Sequence, residues 1–153
     1  MKEEFSNLGK CISILDRLMK MYYDRSLADF EIGWGQQFYV EYLYDHPGAS
    51  AQEMADRFRV DKATLTKVIK KLTEIGYITI VRNENDRRMK SLYLTEKAMP
   101  AAVRIKEVHG SFYNTLCSDL SPEEICQAEK IMGQMMENIS RKVRHRMEEN
   151  HGK

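Results

Sequence analysis

Between Asp61 and Thr95 the apolar positions follow two different rhythms. Leu65, Val68, Ile69, Leu72 and Ile75 fall at three- and four-residue steps, so the spacing predicts one buried face of an amphipathic helix. Asp61 fits the N-cap and Gly76 the C-terminal stop. The other face carries Lys62, Thr64, Thr66, Lys67, Lys70 and Lys71. After Gly76 the run Tyr77-Ile78-Thr79-Ile80-Val81 is rich in β-branched residues and predicts a strand. Asn83 to Asp86 is turn chemistry, and Leu92 and Leu94 alternate with Tyr93 as a second strand.

The rest of the chain reads as helices. Phe5, Leu8, Ile12, Leu15, Met19 and Tyr22 step alternately by three and four, which is a heptad seam inside a helix over 5–30. Ile14, Leu18 and Met21 widen that seam beyond what one small subunit buries. Gly33 and Gly35 interrupt the chain, and a second helix is expected over 34–45, closed by His46-Pro47-Gly48. Ser50-Ala51-Gln52-Glu53 is a capping box opening a short helix to about Phe58, with Met54, Ala55 and Phe58 inward. Arg59-Val60 is the turn into the helix that Asp61 starts. Thr95 is expected to cap the next helix, running to about Ser118 with Ile105, Val108, Phe112 and Leu116 as its stripe. Ser121-Pro122-Glu123-Glu124 is a second capping box, and Ile125, Ala128, Met132, Met135 and Ile139 stripe the long helix after it. Arg141, Lys142, Arg144 and Arg146 near its end suit the helix dipole, or a contact with nucleic acid.

Charge is concentrated where the first pattern lies. From Asp61 to Lys90 there are eight basic and four acidic residues, a local balance of +4 in a chain of net +1. Such a patch fits a phosphate backbone whatever the global charge; a solvated helix face is the plainer reading. The 153 residues contain 42% hydrophobic positions, normal for a globular chain, and no uninterrupted apolar run long enough for a membrane span. The polar start MKEEFSNLGK lacks the apolar core of a secretory signal. Cys11, Cys117 and Cys126 are odd in number without paired spacing, which argues for a reducing, cytoplasmic setting and against a disulfide or zinc site. His46, His109, His145 and His151 are scattered, and no phosphate loop or nucleophile motif occurs. The sequence therefore predicts no enzyme, no cofactor, no metal site and no membrane partner.

A helix-turn-helix over 50–75 followed by a hairpin with arginines at its tip is a winged helix. The stretch with Asp86-Arg87-Arg88 and then Leu92, Leu94 and Thr95 resembles the DNA-binding half of MarR-family transcription regulators, whose wing ends in an Asp-x-Arg element before a short strand and Leu-Thr. The resemblance extends over the whole chain and is most specific from Ser50 to Thr95. Two departures occur: Asn83-Glu84 where the family often has Pro, and Ala98 where it often has Gly. The fold class expected is mainly α with a small β-wing. Residues 33–95 would be the winged helix-turn-helix, and residues 1–32 and 96–153 long N- and C-terminal dimerisation helices.

The resemblance implies a homodimeric, sequence-specific regulator, a repressor, on double-stranded DNA with a pseudo-palindromic operator. Lys62, Thr64, Thr66, Lys67 and Lys70 would face the major groove. Lysine can bond guanine edges or neutralise phosphates, and threonine can touch a thymine methyl or a phosphate. In the wing, Asp86 would orient Arg88 for the minor groove, with Arg87 and Lys90 on the backbone. The family often binds small aromatic or phenolic effectors; Tyr22, Tyr23, Trp34, Phe38 and Tyr42 are the candidate crevice, or else ordinary core. Another branch senses peroxides through a first-helix cysteine, for which Cys11 is the candidate, or else an idle thiol. The competing class is a winged helix that binds protein and no DNA.

Overall fold

The computed structural model describes residues 4–82, 84–86 and 88–151, with side chains described over 7–143 except 83 and 87. Expectations placed on Arg87, and on the side chains of Phe5, Arg144 and Arg146, lie outside the described residues. The order is α1 (Glu4–Ser26), α2 (Trp34–Asp45), α3 (Ala51–Phe58), α4 (Lys62–Glu74), β1 (Ile78–Arg82), β2 (Lys90–Leu94), α5 (Met99–Leu116) and α6 (Pro122–His151). The chain is thus mostly helical with one small antiparallel sheet. Two compact units are formed, Met1–Phe112 and Tyr113–Lys153. Among the described residues no helix is long and apolar enough to cross a membrane.

Local chemistry sets most boundaries. Ser50 Oγ accepts from Glu53 N–H at 3.1 Å and Glu53 Oε2 accepts from Ser50 N–H at 2.6 Å, the reciprocal box that starts α3. Asp61 Oδ1 accepts from Thr64 N–H at 2.6 Å and starts α4. Gly76, at φ +79, turns the chain out of α4 as expected, the helix itself closing at Ile75. In the second unit Ser121 and Glu124 repeat the box at the start of α6.

Two expectations are corrected. The first helix does not run to residue 30: it ends at Ser26, and a single 3-10 turn, Ala28–Phe30, follows, closed by Glu31 at φ 58. Thr95 does not cap the next helix with its side chain; its hydroxyl donates instead to Gly76 O at 2.6 Å, the carbonyl just beyond α4.

The core of the first unit gathers one face from each element. Tyr23 and Leu27 of the α1 end, Val40 and Leu43 of α2, Met54 of α3, Leu65, Val68 and Leu72 of α4, and Ala101, Ala102, Ile105 and Val108 of α5 are all buried. Each buried Leu, Ile, Val or Met side chain among them contributes about 1.5–3 kcal/mol on full burial. The hairpin is in register with Ile78 opposite Leu94 and Arg82 opposite Lys90. Leu92 is buried, and its N–H and C=O pair with Ala49 O and Gly48 N–H, so the segment before α3 lies along β2 as a short third edge. This joins the wing to the helix-turn-helix.

Candidate nucleic-acid interface

The α4 helix is built with two unlike faces. Leu65, Val68 and Leu72 are buried, and Ile69 and Ile75 are half-buried against the same core. Lys62, Thr64, Thr66, Lys67 and Lys70 are all exposed. The sequence expects these five on the groove-facing side of α4, and none of them is buried. Lys70 meets Glu74 only loosely, at 3.9 Å with both groups well exposed, a contact that contributes little. Thr66 Oγ1 donates to Lys62 O at 2.7 Å, so its hydroxyl proton is used within the helix.

Lys71 departs from its expected place on the open face. It is half-buried, and its ammonium donates to Gln36 Oε1 of α2 at 3.2 Å. Sequence spacing alone set it beside Lys67, but α2 reaches over that flank.

The wing presents Arg82, Arg88 and Lys90, all exposed. Asp86 Oδ1 accepts from Arg88 N–H at 3.0 Å, and Asp86 O accepts from Met89 N–H at 3.0 Å. Asp86 thus holds the backbone at Arg88.

The five aromatics expected to form a crevice fall into two groups. Tyr22, Tyr23, Trp34 and Phe38 touch in succession, with centroids 5.9, 5.1 and 4.8 Å apart, and Phe112 of α5 packs on both tyrosines. Tyr42 instead stacks on His46 at 4.3 Å and meets Phe58 edge-on. Burial, then the carboxylate of Glu41 and then Tyr22, push the Tyr23 hydroxyl up to about 12.

A polar set beside the first group was not foreseen. Gln37 is fully buried; His109 Nε2 lies 2.6 Å from its Oε1, and His109 Nδ1 lies 3.0 Å from Glu41 Oε1. The Gln37 amide nitrogen has no partner. No signal in the sequence links residues so far apart in the chain. Cys11 and Cys126 are exposed, and Cys117 is half-buried.

A helix-turn-helix whose second helix exposes lysines and threonines, followed by a two-stranded wing and set among long helices, is a winged helix-turn-helix. A protein-family model for the MarR family matches residues 33–90. Over those residues the chain is similar to MarR-family winged helix-turn-helix regulators. The HTH-type transcriptional regulator BilQ of Clostridioides difficile is 28% identical over 121 residues, 79% of this chain and 82% of that protein. A MarR transcriptional regulator from Methanosarcina mazei has a crystal structure matching at TM-score 0.76 with 28% identity, over 89% of this chain and 98% of that one. A putative MarR family regulator from Listeria monocytogenes, complexed with a 26mer DNA, matches at TM-score 0.78 with 21% identity, over 85% of this chain and 87% of that one.

Proposed function

We propose that this protein is a dimeric repressor that binds a pseudo-palindromic operator and is released from it by a small aromatic or phenolic effector. The observation that carries the DNA reading is the open face of α4: Lys62, Lys67 and Lys70 stand exposed over a fully buried apolar back. That face suits the major groove, where base edges can be distinguished. Thr66, with its hydroxyl proton used within the helix, has a methyl that suits thymine rather than a phosphate. Arg88 suits the minor groove or the backbone, Lys90 suits the backbone, and Asp86 holds the turn at Arg88. The DNA held by the Listeria protein of the same fold supports this placement.

Dimerisation is supported by apolar side chains left exposed on the terminal helices, Leu8, Ile12 and Leu18 on α1 and Met136 and Ile139 on α6. In this reading residues 1–32 and 96–153 form the dimerisation layer, residues 33–95 the DNA-binding domain, and two copies present paired recognition helices. Tyr22, Tyr23, Trp34 and Phe38 are the candidate effector site, with Tyr42 at its margin.

The experiment is to incubate the purified protein with sheared genomic DNA and sequence what it retains. The expected result is a shared motif with two-fold symmetry. Retention without a common motif overturns sequence specificity, and no retention leaves the protein-binding alternative. Adding salicylate and related phenols to the bound motif should release it, while peroxide should not; release by peroxide that Cys11→Ser abolishes would move the effector reading to the thiol.

A further inference from the structure

The buried face of α4 fixes the helix against the core by non-directional contacts, which leave its rotation and its slide along the groove weakly specified. Directional bonds are found at two places. On the flank, Lys71 Nζ donates to Gln36 Oε1 at 3.2 Å. The same oxygen accepts from Gly33 N–H at 3.1 Å, so it is held by the start of α2. That start is itself tied to α1, because Asp24 Oδ1 accepts from Trp34 N–H at 2.8 Å. Gly33 permits this approach, since a Cβ there would collide with Asp24 Oδ1. At the C-terminal end, Lys97 Nζ donates to Ile75 O at 2.7 Å and Thr95 Oγ1 to Gly76 O at 2.6 Å. Tyr77 O accepts from Thr95 N–H at 2.9 Å, and the Tyr77 hydroxyl donates to Phe30 O at 2.9 Å. A helix C-terminus carries unsatisfied carbonyls and partial negative charge, so a lysine placed there is favoured twice over.

We propose that Lys71 and Lys97 are positioning residues of the recognition helix, not DNA contacts, and that together they set its angle for base reading. This rests on the DNA-binding reading above. Both ammonium groups point to protein oxygens: one to the α2 amide, one to the last carbonyl of α4 from the segment that opens α5. Lys97 makes the end of α4 follow the start of α5, and Lys71 makes its flank follow α2. Chemically they are the same residue as Lys67 and Lys70, but their ammonium groups donate to protein oxygens, Lys71 from a half-buried position and Lys97 from an exposed one.

The test compares Lys71→Met and Lys97→Met with Lys70→Met. Methionine keeps an unbranched stem and removes the charge. Duplexes carrying the selected motif and scrambled duplexes are titrated at several salt concentrations. Loss of a charge-assisted bond should weaken motif binding about tenfold in either positioning variant. Scrambled binding and the slope of affinity against salt should stay at the parent value, because no phosphate contact is lost. Lys70→Met should lower that slope by about 0.9 for each phosphate contact removed. Lys97→Arg, which restores a cationic donor, should recover the motif preference. Gln36→Leu loses the Gly33 N–H bond as well, so it should cost at least as much as Lys71→Met, and adding Lys71→Met to it should weaken motif binding no further.

A second readout needs no DNA. Amide exchange at Ile75, Gly76 and Tyr77 should quicken in Lys97→Met, since these N–H groups close the last turn of α4. A salt slope that falls in Lys71→Met or Lys97→Met as it does in Lys70→Met makes these lysines phosphate contacts and overturns the proposal. An unchanged preference for the motif, or unchanged exchange, overturns it also. If the parent retains no DNA at all, the function proposed above fails first, and the inference falls with it.

Discussion

The same three- and four-residue spacing of apolar side chains has opposite fates in two parts of this molecule. On α4 and the first half of α5 it is buried, with Leu65 and Leu72 at 1% exposure and Ile105 at 0%, whereas the expected stripe of α5 comes out at Leu116. On α6 it is left out, with Met136 at 61% and Ile139 at 67%, and Leu18 on α1 stands at 56%. The pattern specifies a helix with one apolar face, but not what covers that face. Within one chain, α4 and α5 find their cover among α1, α2, α3 and the wing. A stripe of Ile131, Met132, Met136, Ile139 and Val143 left exposed is costly, and the dimer proposed above would cover it.

The sharpest way to break the comparison is to cut into both stripes. Leu72→Ala removes a fully buried side chain and should cost about 2–5 kcal/mol, read as a lower melting temperature and denaturant midpoint. Leu18→Asp should behave otherwise. The site is open in the single chain, so the subunit should keep its helical signal, while a carboxylate buried without a partner at a dimer seam costs several kcal/mol. Sedimentation at micromolar concentration should give about twice the chain mass for the parent and one chain mass for Leu18→Asp. A parent that sediments as one folded chain would remove the dimer and with it the explanation of the exposed stripe.

What was legible in the sequence divides along a similar line. The boxes at Ser50 and Ser121, the cap at Asp61 and the turn at Gly76 were readable because each partner lies within a few residues. The open face of α4 was readable because helical periodicity alone decides it. The bond of Lys71 to Gln36 spans 35 residues, and that of Thr95 to Gly76 spans 19. These depend on how elements pack, so Lys71 was grouped with the solvent-facing lysines and Thr95 was expected to cap the helix ahead of it. Gln37, His109 and Glu41 meet only because α2 lies against α5, and nothing local marks them. The aromatics were readable as a group, but their division around Phe58 was not.

A smaller effect sharpens the contrast between α4 and the wing. An arginine at the hairpin reaches phosphates or the minor groove, whose pattern separates little beyond A·T from G·C. Arg88→Ala should weaken binding to motif and scrambled duplexes alike, by about 1–3 kcal/mol, and flatten the salt dependence. Thr66→Ala should instead relax preference at positions that recur symmetrically in the two half-sites. Parent affinity and parent salt slope in Arg88→Ala would mean that the wing stands away from the DNA.

The smallest effect concerns the two carboxylates that start the helix-turn-helix. The Ser50 N–H, then the Ser50 hydroxyl, hold Glu53 below its ordinary value of 4.5, and the Thr64 N–H, then the Thr64 side chain, hold Asp61 below 3.8. Both groups bind a proton less readily when folded than when unfolded. Their contribution is therefore present above the unfolded values and is lost as the pH falls through the lower folded ones. Stability of the first unit should accordingly decline below about pH 4.5 as these two groups take up protons. Both groups are exposed, so the loss is a change of slope and not a collapse. Glu53→Gln and Asp61→Asn keep an acceptor oxygen for the same N–H but no longer titrate. Melting curves between about pH 6 and pH 3 should be flatter for each variant than for the parent. Equal slopes in all three proteins would show that the capping carboxylates bind protons alike in the folded and unfolded chain, and that backbone geometry, without charge, starts α3 and α4.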